Sequence, residues 1–280
     1  MTEQQVCCPT ARLEKLLLAT DGSEQSEGAV RETINLAKIC SSKIYAISVI
    51  ETNPEFMASA PGFFEKYEKQ IRQHLESIKS RASKENIECE IIIHEGEEPF
   101  QEIVDEAAGK QVEMIFMGRY GRTGLKRLLM GSVTAKTIGH SPCNVMVVPE
   151  AAKVSYKNIL TATDGSKYSD AAALEAISIA KRCGSKLIAL SVATRDTNLA
   201  AAKESVERVR QIAEKEGIKV ESLTLKGTPY EVIVKTADHK NADLIVVGSH
   251  GRTGVKRLLM GSVTERVIGH SGSAVLVVKA

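Results

Sequence analysis

Along this chain the apolar positions alternate between two spacings. Short apolar runs of strand length, at residues 13–20, 44–50, 88–94, 112–117 and 144–148, are separated by stretches in which apolar residues return every third or fourth position. Runs of this kind read as strands buried on both faces of a parallel sheet, and the stretches between them as amphipathic helices. A helix predicted over 23–39 places Ala29, Val30, Ile34 and Ala37 on one face; others are predicted over 64–85, 99–109 and 132–140. From residue 155 the order repeats. Strands are predicted at 158–163, 186–193, 219–225, 243–247 and 274–278, and a helix at 167–183 carries Ala172, Ala173, Ile177 and Ala180 at the same spacings as the first. Five strands alternating with helices imply an α/β fold, a parallel sheet with helices on both faces.

The repetition is also literal. ATDGS occurs at 19–23 and 162–166, and GRYGRTGLKRLLMGS at 118–132 returns as GSHGRTGVKRLLMGS at 248–262. Asp21 and Asp164 are 143 residues apart but Gly118 and Gly248 only 130, so the first half carries 13 more residues between the two landmarks. The chain therefore divides into a tail (1–12), a first domain (13–150) and a second (155–280). The surplus falls at 51–63 and reads as a flexible lid. A length of 280 residues with 43% apolar content suits two domains and two cores.

Charge is nearly balanced, 37 Lys and Arg against 35 Asp and Glu, which argues against a nucleic acid or an anionic membrane as partner. No apolar run approaches bilayer length and the N-terminus lacks the layout of a signal peptide, so a cytoplasmic protein is expected. The six cysteines show neither a CxxC pair nor zinc spacing; most read as small buried hydrophobes in a reducing compartment, with Cys7 and Cys8 in a frayed tail.

Candidate chemistry lies where the fourth strand of each half meets its glycine-rich loop. A strand, a glycine loop and a helix start form a seat for phosphate, because glycines let backbone N–H groups approach an anion and the helix start adds amides and a positive dipole end. Ser132 and Ser262 read as the helix N-caps, the latter with Glu265 as a capping box. Arg122, Lys126 and Arg127, and Arg252, Lys256 and Arg257, add matching cations. Asp21 and Asp164 could accept from ribose hydroxyls or join a phosphate-bound Mg2+; alone they would read as turn residues, but their pairing with the glycine loop in both halves favours the ligand role. Segments 121–134 and 251–264 differ only at Leu125/Val255. Tyr120 stands opposite His250, which argues against a catalytic histidine in the loop, and His140 and His270 suit a helix C-terminus. Met130 and Met260, with the leucines before them, read as packing.

These residues resemble the signature of one family. The spacing G-x2-G-x9-G-[ST] is met by Gly118, Gly121, Gly131 and Ser132, and again by Gly248, Gly251, Gly261 and Ser262, each time downstream of TDGS. It is similar to the nucleotide-binding signature of universal stress proteins, and the resemblance runs from Leu13 to the C-terminus. It implies a tandem member of the ATP-binding type, with two Rossmann-like domains of the adenine nucleotide alpha hydrolase-like kind, each a five-stranded parallel sheet of order 3-2-1-4-5. The implied ligand is ATP, with or without Mg2+. Adenine would lie near Val49 and Val192, and the ribose near Ala19, Thr20 and Asp21 or Ala162, Thr163 and Asp164. The phosphates would follow Gly118, Arg119, Gly121, Arg122, Gly131, Ser132 and Val133, or Gly248, Gly251, Arg252, Gly261, Ser262 and Val263. Pairing of the two halves through their fifth strands, and of two chains as a homodimer, is likewise implied. The expected role is nucleotide-dependent regulation in a stress response. The alternatives are a slow Mg-dependent ATP hydrolase, for which neither a GK[ST] P-loop nor a recurring general base is present, and a nucleotide-free interaction module.

Overall fold

The computed structural model describes residues 8–10, 13–52, 61–122, 130–251 and 260–280, the side chains of 61–64 excepted. The first half runs β1 (Lys15–Ala19), α1 (Glu27–Cys40), β2 (Lys43–Glu51), α2 (Pro61–Lys84), β3 (Cys89–Gly96), α3 (Pro99–Lys110), β4 (Met114–Gly118), α4 (Ser132–His140) and β5 (Asn144–Val148). The second runs β6 (Asn158–Ala162), α5 (Lys167–Cys183), β7 (Lys186–Ala193), α6 (Leu199–Lys215), β8 (Val220–Lys226), α7 (Pro229–His239), β9 (Leu244–Gly248), α8 (Ser262–His270) and β10 (Ala274–Val278). Within each half the strands are parallel in the order 3-2-1-4-5, so the first and fourth strands are neighbours. The halves then join: β5 pairs antiparallel with β10, Met146 opposite Leu276, and one ten-stranded sheet results.

Alternation along these strands divides the interior. Leu16, Leu18, Phe116 and Met146 point to one face, where α1, α2, α5 and α6 cover them, and Leu17, Ile115 and Val145 point to the other, under α3, α4, α7 and α8. The expected two cores are present, but each belongs to a face of the sheet and runs through both halves rather than one to a domain. The cause is the β5–β10 seam, which makes the apolar surface on either side continuous. At the junction between halves, Asp243 accepts from the backbone N–H groups of Ser155, Tyr156, Lys157 and Asn158, tying the start of β6 to the start of β9. None of the described helices is long and apolar enough to cross a membrane.

Two expectations change. Residues 53–60 of the predicted lid lie outside the described residues, while 61–63 form the opening turn of α2, which is 24 residues long against 17 for α6. Cys8 is joined to Cys40 in a disulfide with a Cα–Cα distance of 4.8 Å, so it anchors the tail instead of fraying, and these two cysteines are not reduced packing residues. Pairing of β1 with β2 sets Lys15 beside Lys43, which brings the residues before β1 to the end of α1; a separation of 32 in sequence hides this closeness. Cys89 is buried as expected, its thiol pushed up to about 11 by burial, and Cys7 lies outside the described residues.

Thiol titration of the chain unfolded without reductant should find two fewer reactive thiols than after reduction. An equal count would refute the bridge. Cys40→Ser should lower the unfolding free energy by about 4 kcal/mol in non-reducing denaturant titrations, as expected for closing a loop of this size.

Candidate functional site

Two clefts of about 430 Å³ each open at the carboxyl ends of the strands, one in each half. Because β1 adjoins β4, the TDGS turn and the glycine loop meet across the first cleft, and β6 and β9 repeat this in the second. Ala19, Thr20, Asp21 and Val49 line the first cleft, together with Gly118, Gly121, Arg122, Gly131, Ser132 and Val133. The second is lined by Ala162, Thr163, Asp164, Val192, Gly248, Gly251, Gly261, Ser262 and Val263. Arg252 lies outside the described residues, as do Lys126, Arg127, Lys256 and Arg257.

Asp21 serves as the turn residue and adds a tie to the glycine loop. Its Oδ1 accepts from the Ser23 N–H at 3.0 Å, which closes the turn, and its Oδ2 accepts from the Arg122 N–H, which ties the turn to the glycine loop. Asp164 likewise accepts from the Ser166 N–H.

The three signature glycines do three different things. A Cβ on Gly118 would sit 2.8 Å from the Gln25 carbonyl oxygen, and one on Gly248 2.5 Å from that of Tyr168, so the first glycine is demanded by close backbone packing. A Cβ on Gly121 or Gly251 would meet the carboxylate of Asp21 or Asp164 at 2.9 or 2.8 Å. Gly131 and Gly261 are different: a Cβ there would meet the loop backbone at 3.5 and 3.4 Å, ordinary contact, so the fold itself does not demand glycine at these two lining positions.

Two sequence assignments are corrected. Ser132 and Ser262 are the first residues of α4 and α8, not their N-caps; the caps are Gly131 and Gly261 in extended backbone, with no side-chain cap hydrogen bond, so the proposed capping box with Glu265 does not form. The chain leaves the glycine loop extended because Gly131 N–H donates to the Arg119 carbonyl at 2.9 Å, and Gly261 N–H to that of Ser249 at 2.8 Å. The first amides of both helices thus face the cleft without a side-chain cap. Arg119 does not line the cleft: its guanidinium crosses into the other half and donates to the carbonyls of Gly269 and Ser271.

The clefts also contain residues that the sequence reading missed. Pro99 and Ile103 from α3, and Pro229 and Ile233 from α7, join Val49 or Val192 to make an apolar end in each cleft. Their common P-x3-I spacing, 130 residues apart, was the available signal. In the first cleft α2 contributes Tyr67, with the Arg122 guanidinium 4.2 Å from its ring centre, while His74 of the same helix supports the lining residue Thr20, its Nε2 3.0 Å from Thr20 Oγ1. Burial holds the His74 imidazole below its ordinary value, aided by Arg81 and Arg122 and opposed by Glu27 and Asp21. Met130 and Met260 are buried in the core, as expected, and His140 and His270 stack on Phe100 and Tyr230 at their helix ends.

The model of the universal stress protein family matches residues 12–149 and 155–279. A universal stress protein of Methanocaldococcus jannaschii is 39% identical over 140 residues, 44% of this chain and 82% of its own. The crystal structure of a universal stress protein from Archaeoglobus fulgidus is 26% identical with a TM-score of 0.75, covering 96% of this chain and 99% of its own. The chain is also similar to a universal stress protein solved in complex with cAMP, 31% identical over 45% of this chain and 98% of its own, with a TM-score of 0.40.

Gly118→Ala should cost about 1–3 kcal/mol of stability, the usual cost of overpacking, whereas Gly131→Ala should cost less than 1 kcal/mol; denaturant unfolding compares them, and equal losses would contradict the division of roles. Since folded His74 resists protonation, the unfolded chain takes up the proton first, and stability falls as pH drops below about 6.5. His74→Gln should flatten that slope, measured as unfolding free energy between about pH 7.5 and about pH 5; an unchanged slope would show that His74 is not its source.

Proposed function

Because this chain belongs to the universal stress protein family, we propose that it is a nucleotide-dependent regulatory protein binding one adenine nucleotide, ATP by preference, in each half. The observation that carries this reading is the polarity of the clefts. At one end of each, the helix start at Ser132 or Ser262 offers amides that no side chain caps; at the other, Val49, Pro99 and Ile103, or Val192, Pro229 and Ile233, form an apolar wall. Asp21 or Asp164 stands on the cleft wall as well, a suitable acceptor for sugar hydroxyls. Anion seat, sugar acceptor and apolar slot within about 430 Å³ match the parts of a nucleotide. Gly131 and Gly261 line the clefts and a Cβ there would make only ordinary contact with the loop backbone, which supports the same fit: the fold tolerates a side chain that adds bulk to the cleft wall.

Binding without rapid turnover suits the residues. Regulation would follow from occupancy, through a change in the surface or the pairing of chains as a homodimer. Nucleotide released on denaturing the freshly purified protein should approach two per chain, halve in Gly131→Val and in Gly261→Val, and vanish in the double variant, with folding preserved by circular dichroism. Stoichiometric nucleotide retained by the folded double variant would sink the assignment. ADP in place of ATP would instead favour the slow hydrolase, and no uptake of added ATP with Mg2+ would favour the interaction module.

A further inference from the structure

The two clefts do not stand independently in the sheet. Antiparallel pairing of β5 with β10 sets the carboxyl end of β4, where the first glycine loop begins, beside the turn that joins α8 to β10. Arg119 spans that gap. Its Nη1 donates to the Gly269 carbonyl at 3.0 Å and its Nη2 to that of Ser271, so it holds the C-terminal end of α8. The N-terminal end of α8 is the anion seat of the second cleft. The backbone of Arg119 is bound to the first cleft: its carbonyl accepts from Gly131, the N-cap of α4, and its guanidinium carbon lies 5.8 Å from the ring centre of Tyr120, a lining residue there.

The second half answers with a different residue. Lys279 Nζ donates to the carbonyls of Ile138 and Gly139 at 2.8 and 3.1 Å, holding the C-terminal end of α4, whose N-terminus is the anion seat of the first cleft. Its neighbour Val278 accepts at its carbonyl from Ser249 N–H, in the second glycine loop. Each anion-binding helix therefore has its far end capped by a cation from the opposite half, where the last carbonyls of a helix lack partners and the dipole favours positive charge.

Resting on the nucleotide reading, we propose that the two clefts are coupled through Arg119: ligand in the first steadies the helix on which the ligand of the second is seated, and the reverse holds by linkage. An anion on the amides at the start of α4 fixes Gly131, hence the Arg119 carbonyl, hence the point from which the guanidinium reaches α8. The second ligand then meets a helix already held at its far end and needs less ordering to bind. Arg119 is a positioning residue, touching neither ligand.

The test uses full-length Gly261→Val, in which ATP enters only the first cleft, and reads the other half. Saturation with ATP should slow hydrogen exchange of the last-turn amides of α8 by about fivefold or more, within the usual range of coupling. Arg119→Ser, which places there the residue that the second half has at Ser249, should abolish this slowing while the chain still takes up one ATP. Unchanged exchange in α8 with ATP bound would overturn the coupling, and slowing that survives Arg119→Ser would overturn the route. If Arg119→Ser does not fold, Arg119→Lys, with one donor group for the two carbonyls, should give less than half the effect, and a full effect would count against the route. Failure of the parent chain to take up ATP would overturn the nucleotide reading itself, and this proposal with it.

Discussion

Were each half to stand alone, β5 (NVMVV) and β10 (AVLVV) would be sheet edges, and neither carries the charge or proline that keeps an edge from pairing. Their antiparallel union removes both edges at once and leaves β3 and β8 as the outer strands of a ten-stranded sheet. It also makes the apolar layers on the two faces continuous, so neither half retains a core of its own. The clefts inherit their arrangement from this seam. Parallel strands within each half put each cleft at one end of its strands, and the reversal at β5–β10 sends the two clefts to opposite ends of the common sheet.

At each cleft the backbone does most of the positioning. Gly118 lets β4 end against the carbonyl of Gln25, Gly121 admits the Asp21 carboxylate, and Gly131 caps α4 in ordinary contact with the loop backbone. Those steps set two loops and a helix start around one volume. The repeat of this geometry at Gly248, Gly251 and Gly261 explains why 121–134 and 251–264 differ at one position while the second helices have drifted apart. A loop whose three signature glycines each answer to a different neighbour tolerates little change at those positions; a helix that needs only an apolar stripe tolerates much.

The halves have nevertheless diverged where helices overhang the clefts. The first cleft has Tyr67 from the longer α2, with Arg122 over its ring and His74 behind Thr20. The second has Asn198 and Ala202 on its wall instead. Across the seam the halves differ again, Arg119 serving from the glycine loop of one and Lys279 from the chain end of the other.

Local periodicity and repetition were enough, by themselves, to determine the elements, the duplication and a parallel sheet in each half; the strand order, and with it the meeting of the TDGS turn and the glycine loop, was implied only by the family resemblance. The former follow from spacing along one strand or helix, or from a motif met twice. Contacts between segments distant in sequence were decided only by the tertiary structure. The Cys8–Cys40 bridge depends on β1 lying beside β2; Pro99 and Ile103 reach the cleft only because α3 packs over β2; and the Arg119 side chain, which its place in the loop assigned to phosphate, turns instead to two carbonyls of the other half. The Ser132 cap failed for a related reason, because the Gly131 N–H bond to Arg119 sets where the helix begins before any serine hydroxyl can compete. A side chain's identity shows what it can bind, whereas the partner within reach is set by how the sheet brings the strand ends together.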